Sequence, residues 1–227
     1  MKIIFVRHGH PNYEKNCLTE LGHLHAAAAA QRLKDDGIEE IYSSPYGRAV
    51  ETAEHTAKVL GQEVKILDFM HEIIWGEEGK EPYATGHPWS TADNMAKAGM
   101  DLMDPNWKEN SPFKGNLLIK HNEWLGEELD KWLETMGYTR EGNAYRVGKN
   151  TKRTIALFSH GGSSVSAIAH MMNLPYPFAI YTINPDYTAI IELNFSDEEG
   201  TLTIPKFGLT HDAKHIEGLK VETVFGN

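Results

Sequence analysis

Two apolar runs in this chain end in the same kind of polar cluster. Ile3-Ile4-Phe5-Val6 runs into Arg7-His8-Gly9, and Ile155-Ala156-Leu157-Phe158 runs into Ser159-His160-Gly161-Gly162. A third segment, Ile38–Tyr42, reads as a short strand and leads through Ser43-Ser44-Pro45 to Arg48. If these runs are parallel strands, their carboxyl ends open on one crevice, the place where open α/β sheets bind ligands. Two arginines and two histidines meeting there make an anion site. Guanidinium groups grip phosphate bidentately and stay charged at any accessible pH. Imidazole adds a nitrogen lone pair able to attack phosphorus near neutral pH. Gly9, Gly161 and Gly162 let backbone approach a ligand closely, and a helix opening after His160 would aim its first N–H groups at an anion.

The elements that must position these groups read as follows. Lys2–Val6 is a buried strand, and Thr19 is placed to cap a helix that runs to about Lys34. Ile38–Tyr42 is a second strand. The helix after Ser43-Ser44-Pro45 puts Ala49, Ala53, Ala57 and Leu60 on one face and ends at Gly61. Val64–Leu67 is a third strand. From about Gly76 to Asn150 the texture changes: four of the five tryptophans lie there, with many Gly, Asn, Pro and Met. One helix is clear in this stretch, carrying Leu125, Leu129, Trp132, Leu133 and Met136. Thr154–Ser159 resumes the buried-strand pattern, and a helix with Val165, Ile168, Ala169 and Met172 follows. Thr188–Phe195 and Leu202–Pro205 read as a closing pair of strands. Alternating strands and helices predict a three-layer α/β/α sandwich with a mostly parallel central sheet. Residues 1–227 are expected to form one domain, with an inserted cap at about 76–150.

Composition narrows the partners. The chain has 227 residues, 41% of them apolar, enough for a sizeable core. A net charge of −10 argues against generic binding to nucleic acid, which needs a basic face. No apolar run is long enough to span a bilayer, so no membrane partner is expected. The first residues read as a buried strand rather than a signal peptide, and a single cysteine, Cys17, allows no internal disulfide. These features predict a cytoplasmic protein, of no assignable oligomeric state. The 12 histidines invite a metal reading, yet His211/His215 and His23/His25 have no evident third ligand, so no metal and no cofactor are expected. Ser163-Ser164 has no nucleophile-elbow pattern. Trp89, Trp107 and Trp124 read as core of the inserted stretch ahead of a substrate platform.

Taken together, four segments resemble the motifs of the histidine phosphatase superfamily, also called the phosphoglycerate-mutase-like family. They are Arg7-His8-Gly9; Ser43 to Thr52, including Arg48; His71-Glu72 with Gly76 and Gly79; and Ser159-His160-Gly161-Gly162. They occur in the family's order and span nearly the whole chain. The resemblance implies that His8 accepts the phosphoryl group and that Arg7, Arg48 and His160 surround its oxygens. It implies that Glu72 protonates the leaving oxygen and then activates water. Glu77 and Glu78 lie close enough to stand in for Glu72.

Two departures matter. Members of the family commonly carry Glu or Gln two residues after the histidine and Asn six after it; here those positions are His10 and Glu14. The contact that the Asn makes to phosphate is therefore absent or comes from Asn12 or Asn16, and His10 either touches the ligand or faces solvent. Mutases of the family also carry an Arg-Arg pair in the insertion, and none exists here, since no arginine falls between Arg48 and Arg140. The insertion's cations include Lys80, Lys97, Lys108, Lys114 and Lys120. The pattern favours a phosphatase acting on a small-molecule phosphate ester. The alternatives are mutase-type phosphoryl transfer and non-catalytic binding of a phospholigand.

Overall fold

The computed structural model describes residues 1–84 and 86–219. β1 (Lys2–Arg7) leads through a short ribbon, β2 (Pro11–Asn12) and β3 (Cys17–Leu18), into α1 (Glu20–Leu33). Next come β4 (Glu40–Ser43), α2 (Gly47–Leu60) and β5 (Val64–Ile66). The chain then forms α3 (Pro88–Lys97), α4 (Trp107–Asn110), α5 (Leu117–Thr135) and a hairpin of β6 (Tyr138–Glu141) and β7 (Ala144–Val147). It returns through β8 (Thr154–Ser159), α6 (Gly161–Met172) and α7 (Tyr176–Thr182) to β9 (Ile190–Asn194), β10 (Leu202–Thr203) and β11 (Lys206–Asp212).

The central sheet has the order β11-β9-β1-β8-β4-β5. β1, β8, β4 and β5 run parallel, while β9 and β11 add an antiparallel edge. Both faces are covered, and the strands show it. Ile4 and Val6 of β1 join Ala156 and Phe158 of β8 in one buried cluster with Leu33 of α1 and Ala53 and Ala57 of α2. Their neighbours Ile3, Phe5, Ile155 and Leu157 pack into a second cluster with Leu125 and Leu129 of α5 and Val165 and Ile168 of α6. Alternate residues of one strand feed opposite cores, which is why these strands read as unbroken apolar runs. The three-layer sandwich with a mostly parallel sheet is present as expected.

Three expectations need correction. Leu202–Pro205 does not pair with the strand before it. β9 pairs with β11, and Leu202–Thr203 instead pairs with β7 to make a separate three-stranded sheet. The stretch 76–150 also holds more than one helix. α3 opens on Pro88 and buries Pro88, Ala92 and Met95 on one face, a stripe of three residues in a helix of 10 and too brief to stand out. The hairpin alternates Tyr138, Tyr145 and Val147 inward about a turn in which Gly142 takes φ 58°. Nor does the whole stretch cap one end of the sheet. The amino group of Met1, at the start of β1, donates to the Tyr138 hydroxyl at 3.1 Å, so the hairpin lies at the opposite end from Arg7 and His8.

α1 is seated directly on the segment that follows β1. Its predicted cap is real, since Thr19 Oγ1 accepts the Gly22 N–H at 3.1 Å. One turn in, Gly22 faces the loop, where a β-carbon would overlap the His10 carbonyl oxygen, while one on Gly9 would lie 2.6 Å from the Gly22 carbonyl oxygen. Backbone thus packs on backbone beneath His8. Gly22→Ala is expected to destabilise the protein by about 2 kcal/mol, the ordinary cost of overpacking a site that cannot relax. Urea unfolding would measure it, and an unchanged midpoint would show that α1 can move away.

Candidate active site

Strand register brings the site together. Arg7 lies opposite Ser159 and Ser43 opposite Phe158, so β1, β8 and β4 end at nearly one level. The pairing runs one residue further: the His8 N–H donates to the Ser159 carbonyl at 2.8 Å, and the Ser44 N–H to that of Phe158 at 2.9 Å. His8, His160 and Arg48 are therefore delivered on anchored backbone and are almost wholly buried.

His8 Nδ1 lies 2.7 Å from the Gly9 carbonyl oxygen. A carbonyl can only accept, so the proton sits on Nδ1 and the lone pair on Nε2. Burial first, and then the Arg7 charge, hold this imidazole well below its usual pKa, so it is neutral at physiological pH. The His160 ring lies 5.2 Å from it, with Nε2 at 2.8 Å from Ser44 Oγ. Burial first, and then the repulsion that a charged ring would meet from a protonated His8 and from Arg48, depresses His160 as well. Its Nδ1 is buried with no hydrogen-bond partner and lies 3.8 Å from a Glu72 carboxylate oxygen. The other oxygen of Glu72 accepts the Ile73 N–H at 2.9 Å. Burial raises the Glu72 pKa above its ordinary value, against the opposing pull of Arg48 and Arg7.

The arginines are held without being neutralised. Arg7 donates to the Pro185 carbonyl at 2.7 Å and lies over the Tyr187 ring at 4.4 Å. Arg48 donates to Asn16 Oδ1 at 2.7 Å and lies 5.0 Å from the Tyr46 ring centre and 5.4 Å from that of Tyr13. Each guanidinium Nε is buried with no partner, and among the described residues no carboxylate comes within 4.0 Å of either group. One ligand atom each from His8, Glu72 and His160 lie within 4.8 Å of one another, the spacing a metal ion could use. Both guanidiniums act on all three residues, however, and two fixed positive charges disfavour a cation where they favour an anion.

The remaining candidates divide. Gly161 is the first residue of α6, where a side chain would meet the Trp89 ring at 3.1 Å. At Gly162 a β-carbon would lie 2.7 Å from Glu72 Oε1, so glycine is what allows the carboxyl to reach the helix. His10 is turned to Thr19, its Nδ1 at 2.9 Å from the hydroxyl, and packs on Tyr187. Asn12 accepts the Lys15 N–H at 3.1 Å in an exposed turn. Of the two asparagines weighed as substitutes, Asn16 is the one that touches the site, through Arg48. Glu77 is engaged by Lys80 and Glu78 is exposed, which leaves Glu72 as the carboxyl of the site.

Sequence reasoning missed the supports. Thr52 Oγ1 donates to the Arg48 carbonyl at 2.7 Å and accepts the Gly9 N–H at 3.0 Å, tying α2 to the loop after β1. Its position four residues after Arg48 was the available signal. Tyr187 and Pro185 come from the segment before β9, and nothing local marks them as partners of Arg7.

Comparison with known proteins gives one consistent result. A model described as the histidine phosphatase superfamily (branch 1) matches residues 3–206. A putative phosphoserine phosphatase 2 of Hydrogenobacter thermophilus is 25% identical over 211 residues, covering 88% of this chain and 93% of that protein. Among solved structures, a phosphoserine phosphatase of Entamoeba histolytica in complex with phosphoserine superposes with a TM-score of 0.62 at 21% identity, covering 95% of this chain and 98% of that one. A mycobacterial glucosyl-3-phosphoglycerate phosphatase with inorganic phosphate gives a TM-score of 0.62 at 19% identity, covering 93% and 98%.

Buried neutral imidazoles make stability depend on pH. His8 and His160 lie well below 6.5 in the folded chain, and burial puts His121 at about 4. Below about pH 6.5 the unfolded chain binds protons that the folded chain refuses, so this contribution is full above that pH and is lost as pH falls. The thermal midpoint is expected to drop from pH 7.5 to pH 5.5, each such group contributing up to roughly 1.4 kcal/mol per pH unit. Inorganic phosphate should raise the midpoint in wild type and much less in Arg48→Ala. A midpoint indifferent to both pH and phosphate would contradict this electrostatic picture.

Proposed function

The chain belongs to the histidine phosphatase superfamily (branch 1), and from that premise we propose that it hydrolyses a small phosphate monoester through a phosphohistidine on His8, with no metal ion. The observation that carries this reading is a neutral imidazole with its lone pair on Nε2, beside two guanidiniums that no carboxylate among the described residues neutralises. Such a site attracts a phosphate dianion and presents a nucleophile to it at once.

In the first step Nε2 of His8 attacks phosphorus and the P–O ester bond breaks. The leaving oxygen takes the proton that burial helps Glu72 to retain. Arg7 and Arg48 meet the charge spreading over the phosphoryl oxygens. Ser44 Oγ accepts the Tyr46 N–H at 3.2 Å, which leaves its own proton free to go to His160 Nε2. His160 then carries its proton on Nδ1, the unpartnered atom, and donates it to phosphate. In the second step a water gives a proton to Glu72 while its oxygen attacks phosphorus and the N–P bond breaks. The products are alcohol and phosphate.

Names among the relatives point to phosphate esters that also carry a carboxylate, phosphoserine and glucosyl-3-phosphoglycerate. We take a carboxylated monoester as the substrate class to test first. We read the chain as one catalytic unit, and its single cysteine fits a cytoplasmic setting.

The test is hydrolysis of p-nitrophenyl phosphate with EDTA present. Wild type should release phosphate and His8→Ala should not. A rate that collapses in EDTA and returns with metal would refute the metal-free step. Glu72→Gln should lower kcat/KM for alkyl phosphates by on the order of 10²–10³, and for p-nitrophenyl phosphate far less, since that leaving group scarcely needs a proton. Equal losses would remove Glu72 from the acid role.

A further inference from the structure

Beside the phosphate crevice lies a second, mostly apolar cleft of about 440 Å³, between the segment after Glu72 and the first turns of α5. His71, Ile74, Leu117, Lys120, His121 and Trp124 line it. Three features mark it as built for a ligand. Trp124 and Ile74 stay 39% and 49% exposed although a packed core lies directly beneath them. His121 is 95% buried, yet its Nε2 has no hydrogen-bond partner, a costly arrangement unless something completes it. Lys120 is the third. Among the described residues no carboxylate lies within 4.0 Å of it, whereas Lys131, the other lysine of α5, pairs with Glu128.

A row of rings lies between the cleft and the phosphate site. Tyr46 lies against both Arg48 and His160; His71 stacks on Tyr46 at 6.1 Å and on Trp124 at 5.4 Å. The leaving oxygen must lie at Glu72, and the near wall of the cleft, His71, is the adjacent residue. A leaving group that extends from Glu72 past Tyr46 and His71 would reach this cleft.

We propose that this cleft holds the leaving-group half of the substrate: an apolar or ring-bearing body against Trp124, Ile74 and Leu117, ending in an anionic group, a carboxylate in the first instance, at Lys120. His121, neutral because burial holds its pKa near 4, hydrogen-bonds a polar atom along that body. The assignment rests on the phosphatase reading above and narrows it. It places the substrate's second charge several bonds from the ester, on a single lysine of α5.

The test uses the whole protein and a series of ω-phosphooxy carboxylic acids of increasing chain length, with plain alkyl phosphates and p-nitrophenyl phosphate as references. While each added methylene is being buried KM should fall about threefold to fourfold, reaching a minimum where the carboxylate meets Lys120. Lys120→Ala should raise KM about tenfold for the best carboxylate, far less for plain alkyl phosphates, and be rescued by Lys120→Arg. A KM indifferent to chain length, or equal losses for charged and uncharged esters, would overturn the assignment. Loss of His8-dependent turnover on every substrate would instead strike the phosphatase reading. The cleft is then judged by binding of the phosphate-free ω-hydroxy carboxylates, followed by tryptophan fluorescence. Quenching that vanishes in Trp124→Phe and weakens in Lys120→Ala would uphold the cleft, and no quenching in wild type would overturn it.

Discussion

The site depends on two guanidiniums held in place by groups that do not cancel their charge. A carboxylate partner would orient Arg7 or Arg48 equally well and would abolish its pull on an anion. The chain uses a backbone carbonyl, an asparagine amide oxygen and the faces of three tyrosines. Each fixes direction while leaving the positive charge intact and partly desolvated, where it acts far more strongly than in water. In a protein of net charge −10 this local excess is what lets a dianion approach. The same charges set the state of the neighbours. They help burial keep His8 and His160 neutral, and at Glu72 they oppose burial without overcoming it.

How much of this was legible in the sequence depends on the range of each interaction. The central strands were readable because both faces are buried, so their apolar runs are unbroken. The limits of α1 and α2 were readable because Thr19 and Gly61 act locally, one as a side-chain cap and the other at φ 66°. The closing strands were misjudged because pairing partners are chosen by the whole sheet. Leu202–Thr203 looks like an edge to β9, yet the β6–β7 hairpin offers it an edge as well and takes it. Nothing within ten residues of Leu202 encodes that choice.

The site shows the same division. Arg7, His8 and His160 were legible because they stand at or just past the end of an apolar strand, and Arg48 because it opens the helix after one; strand ends converge by topology. The holding shell was not. Asn16 reaches Arg48 from a ribbon with φ 51°, a left-handed conformation that asparagine tolerates, and Tyr187 reaches Arg7 from across the sheet. Asn12 looked equivalent to Asn16 by type and proximity, and only the path of the ribbon separates them: one closes a turn, the other faces the crevice.

The backbone contact at His8 has a further chemical consequence. In the mechanism proposed above, forming the N–P bond would draw electron density from the ring, and the phosphorylated imidazole would carry positive charge while it kept its Nδ1 proton. The Gly9 carbonyl is aligned with that N–H from the outset, so its dipole stabilises the ring more as the charge grows. The two arginines work in the opposite sense on a bare imidazolium, but phosphate arrives with negative charge that offsets them. Free protonation of His8 is thus disfavoured by the environment that tolerates its phosphorylation. That asymmetry is possible only because the loop beneath His8 is clamped, by the Gly9–Gly22 packing on one side and the Thr52 hydroxyl on the other.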